Sequence, residues 1–329
     1  MKILVTGGAG YIGSFMVKRL LDENTDVVVA DSLERGHKES VDSRAQLIIG
    51  NLLDENYLNE LFSKNKFDAI IHFAGYISMG ESMKKPELYF ENNFVSTLNL
   101  LKYATLNKVN NIIFSSTAGV YGNPITTPIP EDHPKNPENP YSESKLQVEK
   151  VLSWYQKIYN LNFVALRYFN ASGASLDGLM GENHNPESHI IPNAIHAALK
   201  NEPFNLFGSD YKTQDGTCVR DYIHVLDLVE AHILALKKLK DSQGGFYYNV
   251  GTGNGYSNKD VIEMIKKVSG INLVVHAEGR RPGDADILVA NVDKITNELN
   301  FSPKHSDLET IIKTAWAWHK SQSDLKHKV

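Results

Sequence analysis

Short apolar runs alternate along the first half of the chain with stretches whose apolar residues recur at helical spacing. Lys2–Thr6 is an apolar run closed by glycines, Tyr11–Leu21 carries apolar residues three and four apart, and Val27–Ala30 is a second, β-branched run. The pattern returns at Gln46–Ile49, Ala69–Phe73 and Ile112–Phe114, with helical stretches at Tyr57–Phe62 and Val95–Leu106 between. Strands alternating with helices predict a parallel, doubly wound α/β sheet covered on both faces. Between Pro124 and Pro140 the prolines predict a long ordered loop, followed by a helix over Tyr141–Ile158 and a strand over Phe163–Tyr168. Beyond Ala171 the alternation weakens, and helices at Val225–Leu239, Lys259–Val268 and Leu308–Lys320 sit between short extended runs. The reading is a sheet domain over 1–170, with the chain returning to it near 220–252, and a smaller mixed α/β lobe over 171–329.

The length of 329 residues suits two such domains. With 34 Lys+Arg against 39 Asp+Glu, the charges are mixed and the net charge is -5, which argues against a nucleic-acid partner. Cys218 is the only cysteine, so neither a disulfide within the chain nor a Cys-x-x-Cys zinc motif is available; a reducing, cytoplasmic setting is expected, and no metal. No stretch approaches the ~18 apolar residues of a membrane span, and the first apolar run stops at Gly7, short of a secretory signal.

Gly7, Gly10 and Gly13 form a G-x-x-G-x-x-G pattern directly after the first strand and at the start of the first helix. That context supplies a tight turn, bare backbone for a pyrophosphate and a helix N-terminus that attracts an anion, as in Rossmann folds. A glycine-rich turn kept only for packing looks the same in isolation, but here strand, helix and a downstream acid agree. The acid is Asp31, placed to bind the adenosine ribose hydroxyls, where a carboxylate repels a 2'-phosphate and favours NAD over NADP. Arg35 stands near enough in sequence to serve a phosphate instead.

Tyr141 has a lysine four residues on, Lys145, on the same face of the predicted helix. An ammonium beside the phenol would lower its pKa towards that of a usable base, although the pair taken alone reads more readily as a solvated helix face. Ser115-Ser116-Thr117 ends a strand in three hydroxyls, at the sheet edge where ligands of such folds sit or as caps of the next turn.

Thr6 to Gly13, His72-Phe73-Ala74-Gly75, Ser115-Ser116-Thr117, Val120-Tyr121-Gly122, Tyr141 with Lys145, Arg167-Tyr168-Phe169-Asn170, Gly216 to His224 and Arg280 to Asp284 together resemble the extended short-chain dehydrogenase/reductases, from Met1 to about Trp318. Within them the likeness is to nucleotide-sugar epimerases acting at carbon 4. The resemblance implies a reversible 4-epimerisation of UDP-glucose and UDP-galactose with tightly bound NAD, and a homodimer formed through the helices near Val95 and Tyr141. It implies Tyr141 as general base, Lys145 as its electrostatic partner, and Thr117 as the hydroxyl between base and sugar. It also implies Gly7, Gly10, Tyr11, Ile12, Gly13, Asp31, Ser32, Asn51, Leu52, Phe73, Ala74, Gly75, Asn92, Ser115, Ser116 and Tyr168, with Tyr141 and Lys145, as NAD ligands. Asn170, Ile190, Phe207, Arg220, Arg281 and Asp284, with Thr117, would hold the UDP sugar, the arginines on the diphosphate.

Three positions depart from the family: Asn51 for a usual Asp, Ile77 for a Lys of some members, and Thr117 for a frequent Ser. Asn and Thr keep the hydrogen bond, whereas Ile77 loses a charge that would help retain the cofactor. Two rivals are a nucleotide-sugar 4,6-dehydratase, which needs an acid pair after the active-site Thr where this chain has Ala118 and Gly119, and a non-catalytic NAD sensor.

Overall fold

The computed structural model describes residues 1–280 and 284–326. The elements begin β1 (Lys2–Thr6), α1 (Tyr11–Asp22), β2 (Asp26–Asp31), β3 (Gln46–Ile49), α2 (Glu55–Lys64), β4 (Ala69–His72), α3 (Met79–Ser82), α4 (Pro86–Tyr89), α5 (Ser96–Leu106), β5 (Asn111–Thr117), α6 (Pro140–Tyr159) and β6 (Asn162–Tyr168). There follow β7 (Asn170–Ser172), α7 (Ile190–Lys200), β8 (Phe204–Phe207), β9 (Val219–His224), α8 (Val225–Asp241), β10 (Gly245–Val250), β11 (Gly255–Ser257), α9 (Asn258–Ser269), β12 (Val275–Glu278), β13 (Ile287–Leu288), α10 (Asp293–Leu299) and α11 (Leu308–Lys326).

Seven strands form one sheet in the order β10-β6-β5-β4-β1-β2-β3, and every pairing from β3 to β6 is parallel. Its strands read as unbroken Val, Ile and Leu because both faces are covered. On one face Leu4, Val28, Ile70 and Ile112 pack with Leu58, Leu61, Leu100, Leu101 and Leu152 of the helices. Strand order reverses between β1 and β4, which opens a crevice at the carboxyl ends of these two strands, the ligand position of doubly wound sheets.

The chain divides into two compact units: Met1–Gly122, Lys135–Tyr168 and Val229–Tyr248 form the first, and Asn123–Pro134, Phe169–Leu228 and Asn249–Val329 the second. Asn123–Pro134, within the expected 1–170 span, is thus grouped with the second unit. In that unit β9 joins β11, β13 and β7, β8 pairs with β12, and α7, α9 and α11 bury Ile191, Ile195, Val261, Ile265, Ile311 and Ile312 together. The helix expected over Val95–Leu106 is present, preceded by a turn that the sequence did not suggest. Phe90–Val95 winds as a wider π-helix, and α5 begins at Ser96.

Candidate active site

β1 ends at Thr6, and the chain turns through Gly7 to Gly10 into α1. Gly7 has φ +71°, and a Cβ there would stand 2.5 Å from the Ala74 nitrogen, so only glycine fits where these loops meet. A Cβ on Gly13 would lie 2.2 Å from the Gly7 carbonyl oxygen, which lets α1 press against the turn before it. Tyr11 and Ile12 open α1, Gly10 precedes them, and no side chain caps this helix start. A helix start of this kind, without a side-chain cap, is a common place for an anion to bind. Across the crevice the Phe73 and Ala74 N–H groups donate to the Thr6 carbonyl at 2.9 and 3.1 Å, leading into Gly75.

Asp31 closes β2, its Oδ2 accepting the Ala9 N–H and its Oδ1 the Leu33 N–H, both at 2.9 Å. Each carboxylate oxygen keeps a second lone pair for a ribose hydroxyl. Arg35 is committed elsewhere: its Nη2 donates to both Glu81 oxygens at 3.1 and 3.0 Å, and its guanidinium lies 4.9 Å over the Tyr76 ring. The Ser32 hydroxyl accepts from the Glu34 N–H at 3.4 Å, and Asn51 accepts from the Leu53 N–H at 2.9 Å while donating to Glu34 at 3.2 Å. The Leu52 side chain belongs to the hydrophobic core, leaving only its backbone for a ligand. Asn92 donates to Asn93 Oδ1 at 3.2 Å. Bare glycine backbone, an uncapped helix start and an acid with spare acceptors fit a dinucleotide.

β5 delivers the hydroxyls, and its alternation separates them: Ser115 and Thr117 share one face and Ser116 takes the other. Thr117 both caps a turn, accepting from the Gly119 N–H at 3.1 Å, and hydrogen-bonds the Tyr141 phenol. Ser115 bonds Tyr168, whose phenol also meets His232. Ser116, expected on the cofactor, instead donates to Glu149 at 2.6 Å in the interior. α6 starts crisply, with Asn139 accepting the Ser142 N–H at 2.9 Å and Pro140 in its first turn.

Burial pushes the Tyr141 phenol up to about 12, against the Thr117 bond, which lowers it. The expected lowering by Lys145 is therefore not what governs the phenol here. Burial also brings Lys145 down to about 8, and its Nζ stands 5.0 Å over the Phe114 ring. Desolvation governs both groups, disfavouring the charged form of each. Tyr89 meets Tyr141 edge-on at 6.4 Å, and Tyr168 stands near enough to sense its charge.

In the second unit Arg220, on β9, donates through Nη1 to the Val219 and Ala285 carbonyls at 3.0 and 2.7 Å. Its Nη2 lies 3.6 Å from Asp284, so these two expected ligands stand together. Asn170, on β7, donates to the Asp221 carbonyl at 3.0 Å, one residue along the same strand. Ile190 is the first residue of α7 and Phe207 the last of β8, both half-buried. Arg281 lies outside the described residues.

A model of the NAD dependent epimerase/dehydratase family matches residues 3–251. The chain belongs to this family. This epimerase/dehydratase is 45% identical over 322 residues to the UDP-glucose 4-epimerase of Lactobacillus helveticus, with 98% of each chain covered. It is 43% identical, at a TM-score of 0.92, to a UDP-glucose 4-epimerase from Brucella ovis in complex with NAD, covering 96% of this chain and 97% of that one. It is 35% identical, at a TM-score of 0.93, to one from Bifidobacterium longum in complex with NAD+ and UDP, covering 98% and 99%.

Three features of this epimerase/dehydratase escaped the sequence. Asn93, not only Asn92, is a hub: it accepts the Tyr76 N–H at 2.7 Å and donates to the Tyr76 carbonyl and to Ser144 at 3.0 and 3.2 Å. Glu149 and Arg167 form a buried ion pair at 2.7 Å, signalled only by an acid four residues beyond Lys145. Glu182, His184, Glu187 and His189 gather before α7 with their ligand atoms within 4.8 Å of one another. His184 Nδ1 stands 2.9 Å from Glu182, and His189 bonds the same oxygen, so this group is an ion-pair network at hydrogen-bond distances. Burial lowers the His189 imidazole, but Glu182 prevails and raises it to about 9.

Proposed function

We propose that this member of the NAD dependent epimerase/dehydratase family interconverts UDP-glucose and UDP-galactose by inverting carbon 4 through a transient 4-keto sugar. The observation that carries this reading is the Tyr141 phenol bonded to Thr117 at the carboxyl end of β5, in a chain colinear with UDP-glucose 4-epimerases. Gly7 to Gly13, Asp31 and the Phe73–Gly75 loop would hold NAD, which would supply the acceptor for the hydride of carbon 4. Tyr141 takes the proton of the sugar 4-hydroxyl, with Thr117 bonded to the phenol and orienting that hydroxyl. The Lys145 charge favours the phenolate that this requires. Once the keto sugar presents its other face, Tyr141 would return the proton to the carbon-4 oxygen, and hydride given back to that carbon by bound NAD would leave no net redox. Arg220, Arg281, Asp284, Asn170, Ile190 and Phe207 are assigned to the UDP portion, and the pairing of Arg220 with Asp284 supports a polar cradle there.

Elimination chemistry finds no acid and base after Thr117, because Ala118 and Gly119 follow it. We place the protein in the cytoplasm as a homodimer. A free, buried Cys218 supports the first, and the exposed Leu106, Trp154, Ile158 and Tyr159 on α5 and α6 the second. No helix among the described residues is long and apolar enough to cross a membrane.

Turnover in deuterated water tests the reaction. Product with no carbon-bound deuterium, and retention of a label at carbon 4, is the expected result. Deuterium at carbon 5 with a 6-deoxy-4-keto product would establish a dehydratase instead, and no turnover with NAD bound would leave a sensor.

A further inference from the structure

We propose that Glu149 and Arg167 are positioning residues that hold the Thr117 hydroxyl in register with Tyr141; this rests on the reading of Tyr141 as the base. Tyr141, Lys145 and Glu149 follow one another at steps of four along α6, so whatever fixes Glu149 fixes the helix that carries the phenol. Glu149 Oε1 accepts the Ser116 hydroxyl at 2.6 Å and Arg167 Nε at 2.9 Å, and Oε2 accepts Arg167 Nη2 at 2.7 Å. Arg167 also donates through Nη1 to the Tyr121 phenol at 2.8 Å, with its guanidinium held between the Tyr121 and Tyr247 rings at 5.1 and 5.0 Å.

Ser116 immediately precedes Thr117, and Tyr121 ends the short 3-10 turn that immediately follows it. The ion pair therefore grips β5 on one side of Thr117 and the turn on the other, and ties both to α6. Arg167 pairs with Ser116 across the sheet, so the third tie comes from β6. A planar fork is what reaches carboxylate and phenol together, which a lysine does not reproduce. Both charged side chains are almost wholly enclosed, at 2% and 3% exposure, so the pair is an interior tie and not a surface bridge.

The test uses the full chain with its NAD. Ser116→Ala combined with Tyr121→Phe leaves the ion pair in place and cuts both ties to the Thr117 segment. The expected result is unchanged NAD content and circular dichroism, KM within about threefold, and kcat lowered about 10- to 100-fold, the cost of misplacing a reacting group. The limb of the kcat pH profile set by the phenol moves alkaline, because the Thr117 bond that lowers it is loosened. Glu149→Asp, which keeps the charge on a shorter arm, gives an intermediate loss. Tyr141→Phe is measured alongside. If it is inactive while the double variant keeps wild-type kcat and pH profile, the positioning role is overturned and the base stands. If Tyr141→Phe turns over normally, the base and the positioning role both fall.

Discussion

Tyr141 is a weak acid where it stands, held neutral by burial more strongly than Thr117 favours its charge. Lys145, brought down to about 8, is the neighbouring group whose charge changes within the working range of an enzyme. Its charged form exists below that value and fades above it. Wild-type kcat should accordingly decline as pH rises through about 8, and Lys145→Met should show at least about tenfold lower kcat with that decline absent, since one pKa unit of interaction is a factor of ten. A variant that keeps the same alkaline decline would remove Lys145 from the chemistry. The spacing of Tyr141 and Lys145 was visible in the sequence, and so was the hydroxyl of Thr117. The balance of burial against charge was not, because desolvation depends on what packs around the phenol and no local pattern reports it. Ser116 shows the same limit: its neighbours in sequence are site residues, but strand alternation turns it inward to Glu149.

At the scale of elements, the strands of the large sheet were legible, even the four-residue β3 and β4, as apolar runs alternating regularly with stretches of helical spacing. The small strands β8, β12 and β13 were not, since they stand outside that alternation and are too short to carry a period of their own. The Phe90–Val95 π-helix also escaped, since one wide turn leaves no period of its own in the sequence. α6 presents two faces of unequal character. Leu146, Val148 and Leu152 are buried, whereas Trp154 and Ile158 are each 61% exposed, more than a helix of a lone domain normally leaves uncovered. Two copies of the chain pairing through α5 and α6 would cover them. Light scattering should give twice the chain mass for the wild type, and Ile158→Glu should shift it towards one chain with circular dichroism unchanged. A wild-type mass of one chain at micromolar concentration would dispose of the pairing.

For the whole molecule, buried imidazoles set the acid limit of stability. His72 Nε2–H donates to Thr97, whose own proton goes to the Asn93 carbonyl, so Nδ1 accepts from Thr6 and the ring is held neutral. Burial, with help from Lys145, lowers it to about 3, and burial lowers His224 to about 4. A histidine depressed in the folded state binds its proton first when unfolded. Its contribution is whole above the unfolded value of about 6.5 and drains away as pH falls towards the folded one, about 2 kcal/mol per group by pH 5. His189 runs the other way, its contribution present below about 6.5 and lost as pH rises through about 9. Unfolding by urea should show stability falling from pH 7 to 5, with a shallower fall in His72→Asn; equal slopes would refute the assignment.

The way the chain is threaded between its two units bears on how it is made. The large sheet draws on three separated stretches, the last of them Val229–Tyr248, and its edge strand β10 ends only at Val250. A ribosome releases residues in order, so β6 waits without its outer neighbour while β7, α7, β8, β9 and α8 emerge. During that interval the nascent chain exposes an open strand edge beside Phe163, against which Gly245 later closes so tightly that a Cβ there would stand 2.3 Å from the ring. Neither unit can be completed before the other has begun, and the newborn polypeptide depends on the rest of its own length, or on a chaperone, to keep that edge from finding the wrong partner.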